Sequence, residues 1–224
     1  MPSANQQKIP VVSFDEARRF FRQKVALTRA EFDMLAAEAK RRAFTAAAVH
    51  TMDVLHDIRA AVDKMIDQGK TLADFNAALL DIMGERGWTG TTPWHAETIF
   101  RTNIQSAYGA GRFEQLAAVS DEFPYAMYVA VDDDRTREEH AELDGTVAPI
   151  DGAFWAYHWP PWDYNCRCSA EPLSADEVKG EEVENGTGPM PENDFTSPAL
   201  GADYEPDLSR FDPDEQEQLR RTLR

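Results

Sequence analysis

Apolar residues recur every three to four positions through the first half of the chain, a pattern that predicts a series of amphipathic helices. Capping boxes open two of them at Ser13 and Thr28, because a glutamate stands three residues after each. From Thr28 no glycine or proline occurs until Gly69. The spacing therefore predicts one long helical run with a break at 48–51, where polar and β-branched residues cluster.

Two further helices follow. Thr71 caps the first, and Thr92 precedes a proline, the favoured first residue of a helix, so the second is expected over 93–118. The second helix contains Gly109 and Gly111, although a glycine inside a helix costs about 1 kcal/mol relative to alanine. Close packing of this helix against a neighbour is the favoured explanation.

The second half of the chain has shorter segments. Residues 125–131 alternate and predict a strand, the segment 135–143 predicts a short helix, and Asp144-Gly145 predicts a turn before a second strand at 146–147. An aromatic stretch, a double proline and a loop then lead to the cysteines at 166–168.

These patterns predict an α+β fold. We expect an N-terminal helical region at 11–120, a small irregular α+β lobe at 121–172 that forms one module with the helix at 93–118, and an acidic, largely extended tail at 173–224. The tail has few large apolar residues to bury. Its last part, 212–223, has the pattern of a terminal helix that is marginal alone and suited to docking on a partner.

Charge and hydropathy disfavour several classes of function. The formal net charge is −17, and 15 of the 40 acidic residues lie from Glu171 onward, so a general nucleic-acid-binding role is disfavoured, although a local basic patch stays open. No run of about 18 apolar residues predicts a transmembrane helix. Residues 1–10 lack the apolar stretch of a secretion signal, and we expect a cytoplasmic protein.

A run of three aspartates, Asp132, Asp133 and Asp134, stands close to His140. Carboxylates beside an imidazole could bind a divalent metal or exchange protons, which makes a metal-dependent hydrolase or nuclease one hypothesis. A solvated turn, with ion pairs to the nearby arginines, is the favoured interpretation.

The only two cysteines, Cys166 and Cys168, are too close in sequence to favour a mutual disulfide. They are buried thiols, metal ligands or redox-active groups. With His140 and His158 they would supply the two thiolates and two imidazoles of a closed, structural zinc site. The alternative is that all four are ordinary core and polar residues. A catalytic pairing of Cys166 with a histidine lacks a third group to orient it.

Together these motifs resemble the Mu F-like phage head morphogenesis family over about residues 14–172. The residues that carry the resemblance are Arg101, Asn103, Tyr108 and Arg112 in the last long helix; Asp134, Arg135, Arg137 and His140 near the acidic run; Gly145 in the turn; and Trp155, Pro160, Pro161, Asn165, Cys166, Arg167 and Cys168 in the closing segment. One position departs from the pattern. Many relatives carry a histidine three residues before the first cysteine, where this chain has Asp163, a less characteristic zinc ligand beside thiolates.

The resemblance implies a minor head protein without an activity of its own. It would be present in few copies, associated with the portal vertex, and would contact the portal protein and other capsid or scaffold proteins. We expect it in the host cytoplasm during assembly and then in the virion head, with no membrane partner and no cofactor beyond the zinc hypothesis.

In this structural hypothesis the family residues hold the lobe together. Arg135, Arg137 and His140 would form hydrogen bonds across the lobe, while Trp155 and the two prolines would pack beneath the cysteine loop. Besides the hydrolase, the remaining alternative is contact with DNA through four arginines. They are Arg101, Arg112, Arg135 and Arg137.

Overall fold

A computed structural model describes residues 15–35, 37–46, 49, 51–89, 92–190, 195 and 197–199. The capping box at Ser13 and the terminal helix expected at 212–223 lie outside the described residues. Within them, a helical region is followed by a lobe built on a three-stranded sheet. The α+β class expected from the sequence is confirmed.

The helical region contains two small parallel strands as well as its helices. The helices are α1 (Asp15–Arg22), α2 (Arg29–Asp33), α3 (Ala37–Lys40), α4 (Met52–Gln68), α5 (Leu72–Arg86) and α6 (Pro93–Ala118), and the strands are β1 (Val25–Ala26) and β2 (Ala43–Phe44). Among the described residues, no helix is both long and apolar enough to cross a membrane.

The long helical run expected after Thr28 is wrong between α2 and α4. The chain breaks into two short helices, and β2 pairs in parallel with β1 instead of continuing a helix. This pairing buries Phe44, which is 1% exposed and meets the ring of Phe21 edge-on at 5.9 Å. Burial and pairing across the chain override the helical preference of an alanine-rich segment. The start of α4 at Met52 agrees with the break expected just before it.

The N-terminal cap of α5 gives a first test of stability. The Thr71 hydroxyl accepts a hydrogen bond from the Asp74 backbone N–H at 3.3 Å, and the Asp74 carboxylate accepts one from the Thr71 N–H at 2.9 Å. We expect Thr71→Ala to lower the free energy of unfolding by about 1 kcal/mol. Thr51, which occupies the same position before α4 but makes no side-chain capping bond, is the matched control. Urea unfolding followed by circular dichroism would contradict this account if Thr51→Ala cost as much as Thr71→Ala.

Helix α6 connects the two hydrophobic cores. Its residues Ala96, Ile99, Ala107 and Ala110 belong to the core that α1, α4 and α5 enclose. Towards its end, Leu116 belongs to the core of the lobe. The helix therefore holds the lobe in a fixed relation to the helical region.

The lobe is formed by β3 (Tyr125–Val129), α7 (Glu138–Ala141), β4 (Val147–Pro149), α8 (Ala153–His158) and β5 (Ser169–Leu173). The sheet is antiparallel in the order β4-β3-β5. Strand β3, the short helix and β4 agree with the sequence patterns, whereas α8 and β5 were not predicted. The central strand turns Ala126 and Tyr128 into the core, where each is 0% exposed.

The described part of the tail lies against the lobe. The Glu184 N–H donates to the Val147 carbonyl at 2.8 Å, and the Ser197 hydroxyl donates to the Trp159 carbonyl at 3.0 Å. Val178 is 6% exposed. These residues have little regular structure, and their packing against the lobe was not expected from the sequence.

Candidate functional site

The centre of the lobe is an imidazole enclosed by aromatic residues. His140, on α7, is 2% exposed, and its ring stacks on Trp162 with centroids 4.0 Å apart. Tyr128 reaches it from the buried face of β3, and the Trp162 indole N–H donates to the Tyr128 hydroxyl at 2.7 Å. These contacts fix both the position and the orientation of the imidazole.

The loop before β5 brings both cysteines to the same histidine. The Nδ1 atom of His140 lies 3.6 Å from Sγ of Cys166 and 3.5 Å from Sγ of Cys168. The Tyr128 hydroxyl is 3.4 Å from this nitrogen. Cys166 is buried and Cys168 is half-buried, and neither forms a disulfide. We call His140, Cys166 and Cys168 the thiol–imidazole cluster.

Hydrogen bonds within the cluster shift the pKa values of the two thiols in opposite directions. A hydrogen bond from Cys166 lowers the pKa of the Cys168 thiol, and a hydrogen bond with His140 acts in the same direction. The same bond to Cys168, together with burial, raises the pKa of the Cys166 thiol. Burial also raises the pKa of the Tyr128 hydroxyl. The cluster therefore favours a thiolate on Cys168, with the proton kept on Cys166.

His158 does not join this cluster, so the four-residue zinc set expected from the sequence is wrong at this position. Its Nδ1 lies 3.2 Å from the Phe154 carbonyl oxygen and its Nε2 lies 2.6 Å from that of Pro189. Burial lowers the pKa of this imidazole. Helix α8 directs the ring to backbone carbonyls, and the tail that covers it was not predicted to pack there.

The aspartate run is likewise not assembled with His140. Among the described residues, the groups of three or more possible metal ligands include His140 but none of Asp132, Asp133 and Asp134. Asp133 instead accepts two hydrogen bonds from the Arg167 guanidinium, at 2.7 and 2.5 Å. Its carboxylate also accepts the Arg135 backbone N–H at 3.0 Å. The run is a structured turn tied to the cysteine loop.

This ion pair predicts a pH dependence. The hydrogen bonds from Arg167 lower the pKa of Asp133 in the folded protein. A carboxyl with a depressed folded-state pKa stabilises the fold above its unfolded value, and this contribution is lost as the pH falls towards the folded value. We expect Asp133→Asn to lower the melting temperature at pH 7, and the gap to the unmodified protein to close on acidification. A gap that stays constant down to the acid limit of folding would contradict this.

The arginines of the lobe differ in reach: some bond to residues across the lobe, and others only to neighbours in sequence. Arg137 donates to the Tyr164 carbonyl at 3.0 Å and pairs with Asp163 at 3.2 Å, so it spans the lobe as the structural hypothesis expects. Arg135 contacts only the neighbouring Asp133 in the bonds described, and its side chain is 73% exposed. Arg167 makes the cross-lobe bond that was expected of Arg135.

The prolines and tryptophans of the family pattern join the lobe to α6. Pro160 and Pro161 pack directly on Gly109, and the Trp159 indole N–H donates to the Gly109 carbonyl at 2.7 Å. Trp155 is 0% exposed and donates to the Ala148 carbonyl at 3.3 Å. The expected close packing of α6 is therefore confirmed at Gly109.

An open groove runs along this junction. Tyr108 and Arg112 line it from α6, and Cys168, Arg167 and the two prolines line it from the lobe. Tyr108 is 37% exposed and Arg112 is exposed. Cys166 lines the groove as well but is buried, so the half-buried Cys168 is the more exposed thiol of the thiol–imidazole cluster.

The remaining family residues shape the backbone or stabilise α6. Gly145 (φ 78°) and Asn165 (φ 58°) adopt left-handed conformations, and the Gly145 N–H donates to the Tyr128 carbonyl at 2.9 Å. Asn103 donates to the Ile99 carbonyl at 2.9 Å. Arg101 pairs with Glu97 one turn away, while Asp134 is exposed.

Sequence reasoning missed Tyr128 and Trp162 as parts of the centre. The inward alternation of β3 was a signal for Tyr128, because it predicts a buried phenol that needs a polar partner. For Trp162 there was no signal, since its place depends on the path of the loop after the double proline. The partnership of Asp133 with Arg167 joins residues 34 positions apart and had no local signature either.

Comparison with known proteins identifies the family of this chain. A family model described as phage Mu protein F like protein matches residues 56–171, just over half of the chain. The match runs from within α4 to β5 and includes the whole thiol–imidazole cluster. The chain belongs to the phage Mu protein F-like family.

Two curated relatives extend the match of this Mu F-like chain. The putative capsid assembly protein F of Escherichia phage Mu is 38% identical over 194 residues, which cover 78% of this chain and 44% of that protein. The Mu-like prophage FluMu F protein of Haemophilus influenzae is 36% identical over 166 residues, covering 68% of this chain and 40% of the relative. The chain therefore spans less than half the length of these relatives. No solved structure matches it significantly.

Proposed function

We propose that this Mu F-like chain acts in phage head morphogenesis, as a minor head protein associated with the portal vertex. The observation that carries the proposal is its 38% identity over 194 residues with a protein named as a putative capsid assembly protein of phage Mu. The proposed partners are the portal protein and other capsid or scaffold proteins. The proposed location is the host cytoplasm during assembly and the virion head afterwards.

The internal bonding of the lobe supports a structural role without catalysis. His140 is enclosed by Trp162 and the two thiols, and Asp133 is held by Arg167. His140 and Asp133, two of the groups that would perform acid–base chemistry in the hydrolase hypothesis, are thus engaged by other residues of the fold and not by each other, and no observation favours that hypothesis.

A role based on DNA contact has no specific support either. Three of the four arginines considered for it are paired with carboxylates: Arg101 with Glu97, Arg135 with Asp133 and Arg137 with Asp163. Pairing of this kind reduces the positive charge available to phosphates.

The assembly role is tested genetically. In a phage genome that carries this gene, a stop codon early in the reading frame should abolish infectious particles, and the full gene supplied in trans should restore them. Electron microscopy should show aberrant or unfilled heads in the mutant lysate. Normal numbers of filled, infectious heads without the protein would overturn the proposal.

The portal association is tested separately. Cross-linking of assembling heads, followed by mass spectrometry, should recover peptides of this chain joined to the portal protein. Cross-links exclusively to the major capsid protein would leave the assembly role intact and overturn the portal assignment.

A further inference from the structure

We propose that the thiol–imidazole cluster binds one zinc ion, with Nδ1 of His140 and the sulfurs of Cys166 and Cys168 as ligands. Its role would be structural, tying the cysteine loop to α7 and β3. The proposal rests on the local geometry of the lobe and stands or falls independently of the assembly role.

The distances in the cluster match a zinc tetrahedron. Zinc–sulfur bonds of about 2.3 Å and zinc–nitrogen bonds of about 2.0 Å place neighbouring sulfur and nitrogen ligands about 3.5 Å apart in tetrahedral geometry. The two sulfur–nitrogen distances here are 3.6 and 3.5 Å. All three ligand atoms lie within 4.8 Å of one another. Little rearrangement is therefore needed to hold the ion.

The Tyr128 hydroxyl lies next to the histidine ligand of the cluster. Its oxygen lies 3.4 Å from Nδ1 of His140, which is also close to a tetrahedral edge. The hydrogen bond from Trp162 fixes this oxygen at 2.7 Å. A fourth position closed by this oxygen would make the site structural, since a catalytic site keeps a position open for substrate.

Two carboxylates lie close to the buried histidine. Carboxylate oxygens of Glu139 and Asp163 lie within 4.8 Å of a ring nitrogen of His140, whose Nε2 is buried and otherwise has no hydrogen-bond partner. Zinc-bound histidines commonly use the second nitrogen to donate to a carboxylate. Arg137 holds Asp163 in place at 3.2 Å.

The donor set also selects the kind of metal. Two sulfurs and one imidazole nitrogen favour zinc over magnesium or calcium, which prefer oxygen ligands. The competing explanation is a metal-free set of hydrogen-bonded thiols. The zinc site and the metal-free set differ in measurable metal content, because only the zinc site predicts one ion per chain.

Native mass spectrometry and elemental analysis of the full chain, purified without chelator, test the site directly. We expect one zinc ion per chain. Replacement by Co²⁺ should give the thiolate charge-transfer band and the strong visible bands of a tetrahedral site. A chain that is folded but binds neither metal stoichiometrically would overturn the proposal, whatever the variants do.

Substitution of the proposed ligands tests where the ion binds. Cys168→Ser and Cys166→Ser should each lose stoichiometric zinc and the charge-transfer band. His56→Gln, which changes an exposed histidine on α4, is the matched control and should keep both. Retention of zinc by folded Cys168→Ser would show that the ion binds elsewhere and would overturn the assignment.

Metal removal should also change the thermal stability of the chain. A ligand that binds only the folded state stabilises it, so chelation of zinc should lower the melting temperature of the unmodified chain by several degrees. Addition of zinc should reverse the shift. Folded Cys168→Ser should melt at the same temperature with and without chelator. An unmodified chain whose melting temperature ignores both chelator and added zinc would contradict the site.

Discussion

Gly109→Ala should destabilise the protein by about 1–3 kcal/mol, although alanine in a helix is normally favoured over glycine by about 1 kcal/mol. A Cβ atom at this position would fall inside the contact distance of the Pro160 carbonyl oxygen and lie 2.9 Å from Cδ of Pro161. The carbonyl oxygen belongs to backbone and cannot rotate away. The lobe would have to shift off α6, which would strain the bond from Trp159 to the Gly109 carbonyl.

Gly84→Ala is the matched control. Gly84 also lies within a helix, α5, but a Cβ atom there would meet nothing within 4 Å. This change should stabilise the protein by up to about 1 kcal/mol through helix propensity alone. Urea unfolding of the two variants should therefore give shifts of opposite sign. Stabilisation by both changes would show that α6 and the double proline do not pack closely.

Trp155→Ala should cost about 3–5 kcal/mol, the usual range for truncating a fully buried tryptophan. The side chain is 0% exposed and meets the rings of Phe154 and Trp159 edge-on, with centroids 4.9 and 5.2 Å away. Its removal also leaves the Ala148 carbonyl without the indole donor. Since natural domains are stable by only about 5–15 kcal/mol, this single change should come close to unfolding the chain.

A graded series of substitutions separates the apolar burial of Trp155 from its hydrogen bond. Trp155→Phe keeps most of the apolar surface but loses the hydrogen bond, so it should fall between the unmodified protein and Trp155→Ala. Trp94→Ala, at a position 64% exposed on α6, should change the stability little. Circular dichroism is the appropriate measurement because these changes alter tryptophan fluorescence. Equal losses at Trp94 and Trp155 would contradict the assignment of Trp155 to the lobe core.

The helices of the first half could be predicted where the signal is local. Thr28 forms the capping box that the spacing of its hydroxyl and the Glu31 carboxylate indicates, and Thr71 caps α5 as expected. Helix α6 has the bounds that its initial proline and periodicity predict. Each of these features depends on residues within one or two helical turns.

Features that depend on distant partners were missed. Strand β2 lies in a segment whose sequence pattern predicts a helix. It forms a strand because β1, 18 residues earlier, pairs with it. Strand β5 contains Pro172 and follows the cysteine loop, and its pairing with β3 places it at an edge of the sheet. An edge strand tolerates proline, but a short sequence window does not show which strand will pair with it.

The candidate site was predicted in part for the same reason. Cysteine and histidine counts were enough to nominate His140, Cys166 and Cys168, which do lie together. The count also nominated His158, because composition cannot show that α8 turns its ring to backbone carbonyls. Charge patterning suggested ion pairs for the aspartate run but did not identify Arg167, from the cysteine loop, as the main partner of Asp133.

Most of the family residues build the lobe or dock it on α6. In the proposed role, this rigid unit would present its surface to the head as it assembles. Quantitative mass spectrometry of purified particles, with the portal protein as internal standard, tests that claim most directly. We expect a few copies of this chain per particle, in a fixed ratio to the portal protein. Its absence from particles that contain the portal protein, or a copy number like that of the major capsid protein, would contradict it.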